Sequence, residues 1–228
     1  GIMVRQIEDE IGVANMVIGA AHAGARSMCA TSGGGFALMT EAVGAAGMME
    51  IPVVFIDVQR AGPSTGVPTK TEQGDLWQAL GASQGDFPKF IVAPTSALDA
   101  YKTMPELFNL TDKYQCPGMV LIDLLIGEGR VSFDPDEIDM RPAIDRGALI
   151  TETAQQNGYK RYEDTESGIS PRAIAGVEGY VHVVATDEHD EDSTLLSDEF
   201  TDPIKRRMMV EKRGRKMSMV LDDVPAPK

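Results

Sequence analysis

Cysteine and basic residues are both scarce in this chain, and each scarcity excludes something. Cys29 and Cys116 are the only two cysteines among 228 residues. They are far apart and form no Cys-x-x-Cys spacing, so neither a disulfide framework nor a complete iron-sulfur or metal site is expected on this chain. A reducing cytoplasm is the natural home for such a composition. Lys and Arg number 21 against 35 Asp and Glu, for a formal charge of -14. That field repels nucleic acid and anionic membranes, although a guanidinium held in a cleft can still attract an anion. No apolar run reaches the roughly 18 residues that suggest a membrane span. The opening GIMVRQIEDE shows no charged region followed by a short apolar one, and it runs straight into a structured segment rather than reading as a domain start.

What is present is an alternation of helical and extended patterns. IGVANMVIGAAHAGA (11–25) is small and apolar around nearly its whole circumference, as in a helix packed on several sides. SMCAT (27–31) reads as a strand, GGG (33–35) as a turn and FALMTEAVGAAGM (36–48) as a second close-packed helix. IPVVFIDV (51–58) is a continuous apolar run, the pattern of a strand buried on both faces. A helix near 72–80, a strand at 89–94, a helix at 97–114 and a buried strand at 118–125 follow. The expected fold is therefore α/β, a mainly parallel sheet with helices on both faces, occupying residues 1–126. Residues 127–228 read as an irregular, loop-rich extension packed on the same domain. Within it, TDEHDEDSTLLSDEFTD (186–202) reads as a solvated acidic loop and PIKRRMMVEKRGRKM (203–217) as an amphipathic helix.

Two segments can carry chemistry. Glu8, Asp9 and Glu10 precede the first helix, and successive helical residues point about 100° apart, so they cannot all face inward. They either complement the helix dipole, or Glu10, next to the most apolar run, turns into a cleft where it can exchange a proton with a heterocycle. The second segment, QRAGPSTGVPTKTEQ (59–73), leaves a buried strand at its carboxyl end, where ligands of open α/β sheets bind. There Arg60 can grip a carboxylate with two parallel hydrogen bonds. Gly62, Pro63, Gly66 and Pro68 shape the backbone, leaving Ser64, Thr65, Thr69 and Lys70 as donors; an ordinary surface loop fits the same pattern. His22 and His182 stand alone, and Ser32 and Ser64 have no triad partners in recognisable order.

The run EDEIGVANMVIGAAHAGARSMCATSGGGFALMTEAVGAAGMMEIPVVFIDVQRAGPSTGVPTKTEQGDLWQAL (8–80) resembles the α subunit of 2-oxoacid:ferredoxin oxidoreductases, more loosely again at GISPRAIAG (168–176) and VEKRGRKM (210–217). The resemblance implies the pyrimidine-binding domain of a thiamine diphosphate site, completed by a β subunit that carries the diphosphate, Mg²⁺ and iron-sulfur chemistry. It implies that Glu10 bonds the aminopyrimidine, that Arg60 and Thr69 recognise the 2-oxoacid, and that Lys70 and Gln73 support the loop. The implied reaction is coenzyme A-dependent oxidative decarboxylation of a 2-oxoacid, 2-oxoglutarate preferred, with electrons passing to ferredoxin. The family's upstream Tyr-Pro-Ile-Thr-Pro motif and its further downstream domain are not in this sequence, so the chain is expected to be a piece of a longer protein. Cys29 and Gly34 replace the family's more usual Thr and Pro. The competing expectation is a noncatalytic α/β binding or assembly module that keeps the sheet without the reaction.

Overall fold

The computed structural model describes residues 1–153, 158–196 and 202–224. Its centre is a sheet of four parallel strands, β1 (Met28–Thr31), β2 (Val54–Gln59), β3 (Phe90–Val92) and β4 (Gly118–Asp123), in the order β1-β2-β4-β3. Helix α1 (Glu10–His22) precedes β1, α2 (Gly33–Met48) joins β1 to β2, α3 (Leu76–Gly81) lies between β2 and β3, and α4 (Ala97–Tyr114) joins β3 to β4. The connections β1-α2-β2 and β3-α4-β4 step across the sheet in opposite directions. With right-handed crossovers, that places α2 and α4 on opposite faces.

The side chains follow this geometry. Along β2 and β4 successive residues point to opposite faces. Val53, Phe55, Met119 and Leu121 join α1 and α2 in one core, with Ala14, Val17, Phe36, Met39 and Val43. Val54 and Val120 join Phe90, Leu107 and Tyr114 of α4 in the other. Burial on both faces is why these strands read as unbroken apolar runs. One boundary differs from expectation: the three glycines at 33–35 are the first turn of α2, with Ser32 at its N-cap, and do not form a separate turn.

The rest of the chain packs Ile169, Met217 and Val220 on the α4 core and is also tied down by buried ion pairs. It contributes α5 (Leu124–Gly127), the parallel pair β5 (Leu149–Ile150) and β6 (Arg172–Ala173), α6 (Pro203–Arg215), α7 (Val220–Asp223) and two 3-10 turns at Pro135–Glu137 and Lys216–Met219. Asp112 on α4, 3% exposed, receives Arg26 and Arg146 at 2.8 Å and Arg172 at 3.4 Å. At the end of α2, fully buried Glu50 meets Lys212 at 2.8 Å and also Lys216. Arg161 binds the Glu50 carbonyl at 2.8 Å and Gln115 Oε1 at 3.0 Å. Burial opposes charge on Glu50, but Lys216, Lys212 and Arg161 outweigh it and hold the carboxyl well below its usual range. One carboxylate facing three cations leaves excess positive charge, and burial brings Lys212 down to about 8.

Two readings of the extension are corrected. The acidic segment is only partly solvated over its described part: Asp187 and Asp192 are exposed, but His189 is buried, Glu188 pairs with Arg213 through two bonds of 2.9 Å, and Asp190 pairs with Lys205 at 3.0 Å. Residues 197–201 of that segment lie outside the described residues. Helix α6 is present, but the face it buries carries Lys212 and Arg213 beside Met209 and is cationic rather than apolar. Among the described residues no helix is long and apolar enough to cross a membrane.

Candidate functional site

In a parallel sheet the strands share one carboxyl end. Because α1 runs back along the sheet before β1 and α2 leaves immediately after it, both helix N-termini sit at that end. Thr31 closes β1, Gln59 closes β2 and Asp123 closes β4. Backbone N–H groups and positive helix ends therefore converge on the mouth where the 60–75 loop emerges.

The three adjacent acids at the start of α1 have separate fates. Asp9 is the N-cap: its Oδ1 accepts from the Gly12 N–H at 2.6 Å, and its backbone takes the left-handed φ of 63°. Glu8 is exposed. Glu10, first residue of α1, is partly buried and turns across the mouth to the first turn of α2. A Cβ on Gly35 would stand 2.8 Å from Glu10 Oε1 and would also collide with Thr31 Oγ1, so only glycine lets the carboxyl approach there.

Each of the three consecutive glycines borders a charged group. Gly35 borders Glu10, a Cβ on Gly34 would lie 3.8 Å from Arg60 Nη2, and one on Gly33 would lie 3.3 Å from Asp75 Oδ2. Glu10 and Arg60 thus flank the same helical turn from different sides. Nothing comes closer than 3.8 Å at Gly34, so an added Cβ meets only ordinary contacts there. Ser32 Oγ and Arg60 Nε are both buried at this turn without a hydrogen-bond partner among the described residues.

The loop is a folded-back turn closed by its own backbone. Ala61 N donates to Lys70 O at 3.0 Å, Val67 N to Ala61 O at 2.9 Å and Lys70 N to Val67 O at 3.0 Å. The first of these bonds brings the Thr69–Lys70 backbone beside Arg60–Ala61. Gly66, at φ 52°, passes so close to the Ala61 carbonyl that no side chain fits. Thr69 and Lys70 lie exposed. Gln73 fastens the returning strand to the sheet, its Nε2 donating to Asp123 Oδ2 at 2.9 Å, and this bond is the largest influence holding the Asp123 carboxyl below its ordinary value. Gln59 Oε1 accepts from Asp75 N at 3.0 Å one step further on.

Asp57, Gln59, Asp75 and Asp123 stand behind the mouth, at the strand ends and the foot of the loop, and motif reading missed them. For Asp57 the signal was available: an acid inside the apolar run IPVVFIDV is costly to bury and calls for a reason. His22 and His182 stay outside the mouth. They pack edge to face at the opposite end of α1, ring centroids 5.9 Å apart, and burial lowers both below their ordinary value.

Residues 1–209 match the family model described as pyruvate flavodoxin/ferredoxin oxidoreductase, thiamine diphosphate-binding. The chain is 38% identical over 225 residues to subunit alpha of 2-oxoacid:ferredoxin oxidoreductase 1 from Sulfurisphaera tokodaii, covering 98% of this chain and 35% of that protein. It is 48% identical over 127 residues to the 2-oxoglutarate synthase subunit KorA of Archaeoglobus fulgidus, covering 56% of this chain and 37% of that one. Among solved structures it is similar to a 2-oxoglutarate:ferredoxin oxidoreductase from Magnetococcus marinus with 2-oxoglutarate, coenzyme A and succinyl-CoA bound. The TM-score is 0.82 at 38% identity, over 97% of this chain and 37% of that chain. The chain thus spans well under half the length of these relatives.

Proposed function

Since the chain belongs to the thiamine diphosphate-binding family of pyruvate flavodoxin/ferredoxin oxidoreductases, we propose that it forms the pyrimidine side of the cofactor site in the α subunit of a 2-oxoacid:ferredoxin oxidoreductase. Residues 1–126 are the pyrimidine-binding domain in this reading, and 127–228 the extension that packs on it. The observation that carries the proposal is Glu10, turned across the sheet's carboxyl end onto the glycine turn that Arg60 borders on its other side.

The residues present suit the cofactor. A half-buried carboxyl, a backbone cradle too tight for any Cβ at Gly35 and two unpartnered buried donors, Ser32 Oγ and Arg60 Nε, meet at one mouth. When bound, thiamine diphosphate supplies the electron sink for decarboxylation. Glu10 holds the aminopyrimidine and exchanges a proton with it through its carboxyl oxygen. Arg60 binds the substrate carboxylate by two parallel N–H bonds, and Thr69 donates its hydroxyl to the oxo end. Lys70 and Gln73 hold the loop that presents them. Leu38, Val67, Leu76, Trp77 and Leu80 are exposed on α2, the loop and α3, the elements that leave this end of the sheet. They are the surface a β subunit covers, bringing the diphosphate and Mg²⁺ site and the iron-sulfur cluster.

Coenzyme A accepts the acyl group and ferredoxin the electrons in this reading, and the complex works in the cytoplasm. The relatives named for 2-oxoglutarate favour that substrate over pyruvate. The test is to express the full-length protein with its β subunit and follow coenzyme A-dependent dye reduction by a series of 2-oxoacids. The proposal expects turnover with 2-oxoglutarate preferred, and a KM raised at least about tenfold by Arg60→Ala. An unchanged KM removes Arg60 from the site.

A further inference from the structure

Asp57 sits near the end of β2 and is 2% exposed, with both carboxyl oxygens buried and lacking a hydrogen-bond donor among the described residues. Its carboxyl contacts that of Asp75. Asp75 occupies the N-cap position of α3, where such a residue ordinarily accepts from the helix's first N–H groups, yet its side chain makes no cap bond. The carboxyl is turned toward Asp57 instead, with Oδ2 also buried and without a donor. Two ionised carboxylates repel at contact, and neither has a hydrogen to offer the other. A single proton converts the pair into one donor and one acceptor.

We propose that Asp57 and Asp75 share one proton, and that this acid–carboxylate bridge is the latch that fixes the 60–75 loop to the sheet and so sets the position of Arg60. The proposal rests on Arg60 being the substrate-carboxylate residue. Arg60 and Asp75 border the same glycine: a Cβ on Gly33 would lie 4.0 Å from Arg60 Cγ and 3.3 Å from Asp75 Oδ2. The neighbouring closures, Asp75 N to Gln59 Oε1 at 3.0 Å and Gln73 Nε2 to Asp123 Oδ2 at 2.9 Å, fasten the same end of the loop. Asp57 and Asp75 are positioning residues in this scheme and touch no reacting atom.

The latch is sensitive to pH. The groups acting on Asp57 are Asp75 from the start of α3, Arg60 from the loop, and the Gly33 N–H from α2, which approaches without full hydrogen-bond geometry. Burial and the Asp75 charge push Asp57 up from 3.8 to about 7, while the Gly33 amide and Arg60 draw it back. Because the folded value is raised, the bridge's stabilisation is complete below pH 3.8, declines as pH rises, and is gone above about 7. Above that point the loop opens, and the KM for the oxoacid climbs by up to roughly tenfold over the first pH unit as the closed fraction falls.

The experiment uses the full-length enzyme with its β subunit and two readouts. Infrared difference spectra between acid and alkaline solution report the C=O stretch of a protonated carboxyl, and a KM profile against pH reports the latch. The expectation is a C=O band titrating near neutral pH that disappears in both Asp57→Asn and Asp75→Asn. Asp75→Asn, whose amide donates at any pH, keeps the low-pH KM across the range, whereas Asp75→Ala has the raised KM throughout. A band unaffected by either Asn variant, or no band at all, overturns the shared proton. A band that behaves as expected beside an Asp75→Asn profile identical to wild type overturns the latch. Failure of the underlying substrate reading is distinct: Arg60→Ala then leaves KM unchanged while the band persists.

Discussion

Glu10 Oε1 stands where it does because Gly35 has no side chain: a Cβ on Gly35 would lie 2.8 Å from that oxygen and would collide with Thr31 Oγ1. The pair gives a contrast between neighbouring glycines. Gly35→Ala must displace Glu10, Thr31 or the start of α2, at about 1–3 kcal/mol of strain. It is expected to lower kcat by at least about tenfold while far-ultraviolet circular dichroism stays native. Gly34→Ala meets nothing closer than 3.8 Å and is expected to change kcat much less. Equal losses in the two variants would show that the Glu10 approach is not what matters.

Gln73 is exposed but its amide is the loop's tie to β4 through Asp123 Oδ2 at 2.9 Å. A hydrogen bond to a charged acceptor is worth about 1.5–3 kcal/mol. Removing it in Gln73→Ala frees the returning strand of the loop, so KM for the oxoacid is expected to rise several-fold while thermal stability changes by only a few degrees, about what one such bond implies. Steady-state kinetics beside a melting curve checks both halves of the statement.

The Glu50 cluster makes a prediction about stability alone. Glu50→Gln leaves Lys212 and Lys216 buried without their counter-charge, and breaking a buried pair from one side costs about 3–5 kcal/mol. Denaturant titration should show that loss. The pH dependence has a defined sign: the Glu50 carboxyl is held below its ordinary 4.5, so its contribution is complete above pH 4.5 and declines as pH falls from there. The wild type should therefore lose stability along an acid limb to which Glu50 contributes, and denaturant titrations at a series of pH values should show that limb flattened in Glu50→Gln.

Much of the α/β half was legible in the sequence because a strand buried on both faces must be apolar throughout, as in Val53–Ile56 and Met119–Ile122. Its helices showed for a related reason, since Ala14, Ala21, Ala42 and Ala46 are small where two helices meet closely. The extension was harder to read because many of its attachments are ion pairs between residues distant in sequence. Periodicity cannot show that Lys212 and Lys216 reach Glu50 or that Arg26, Arg146 and Arg172 gather on Asp112, partners more than 80 residues apart for several of these pairs. The same limit applies at the mouth. Glu10 and the 60–75 loop are visible as segments, but the Asp57–Asp75 contact exists only once the loop has closed on the strand.

The most direct test of the account is Glu10→Gln in the full-length protein assembled with its β subunit, assayed for coenzyme A-dependent oxidation of 2-oxoglutarate. Gln fills the same space over Gly35 but cannot exchange the proton. The account predicts a fall in kcat of at least about 100-fold with unchanged assembly and melting temperature. Turnover within about twofold of wild type would contradict it, because the carboxyl would then have no part in the chemistry.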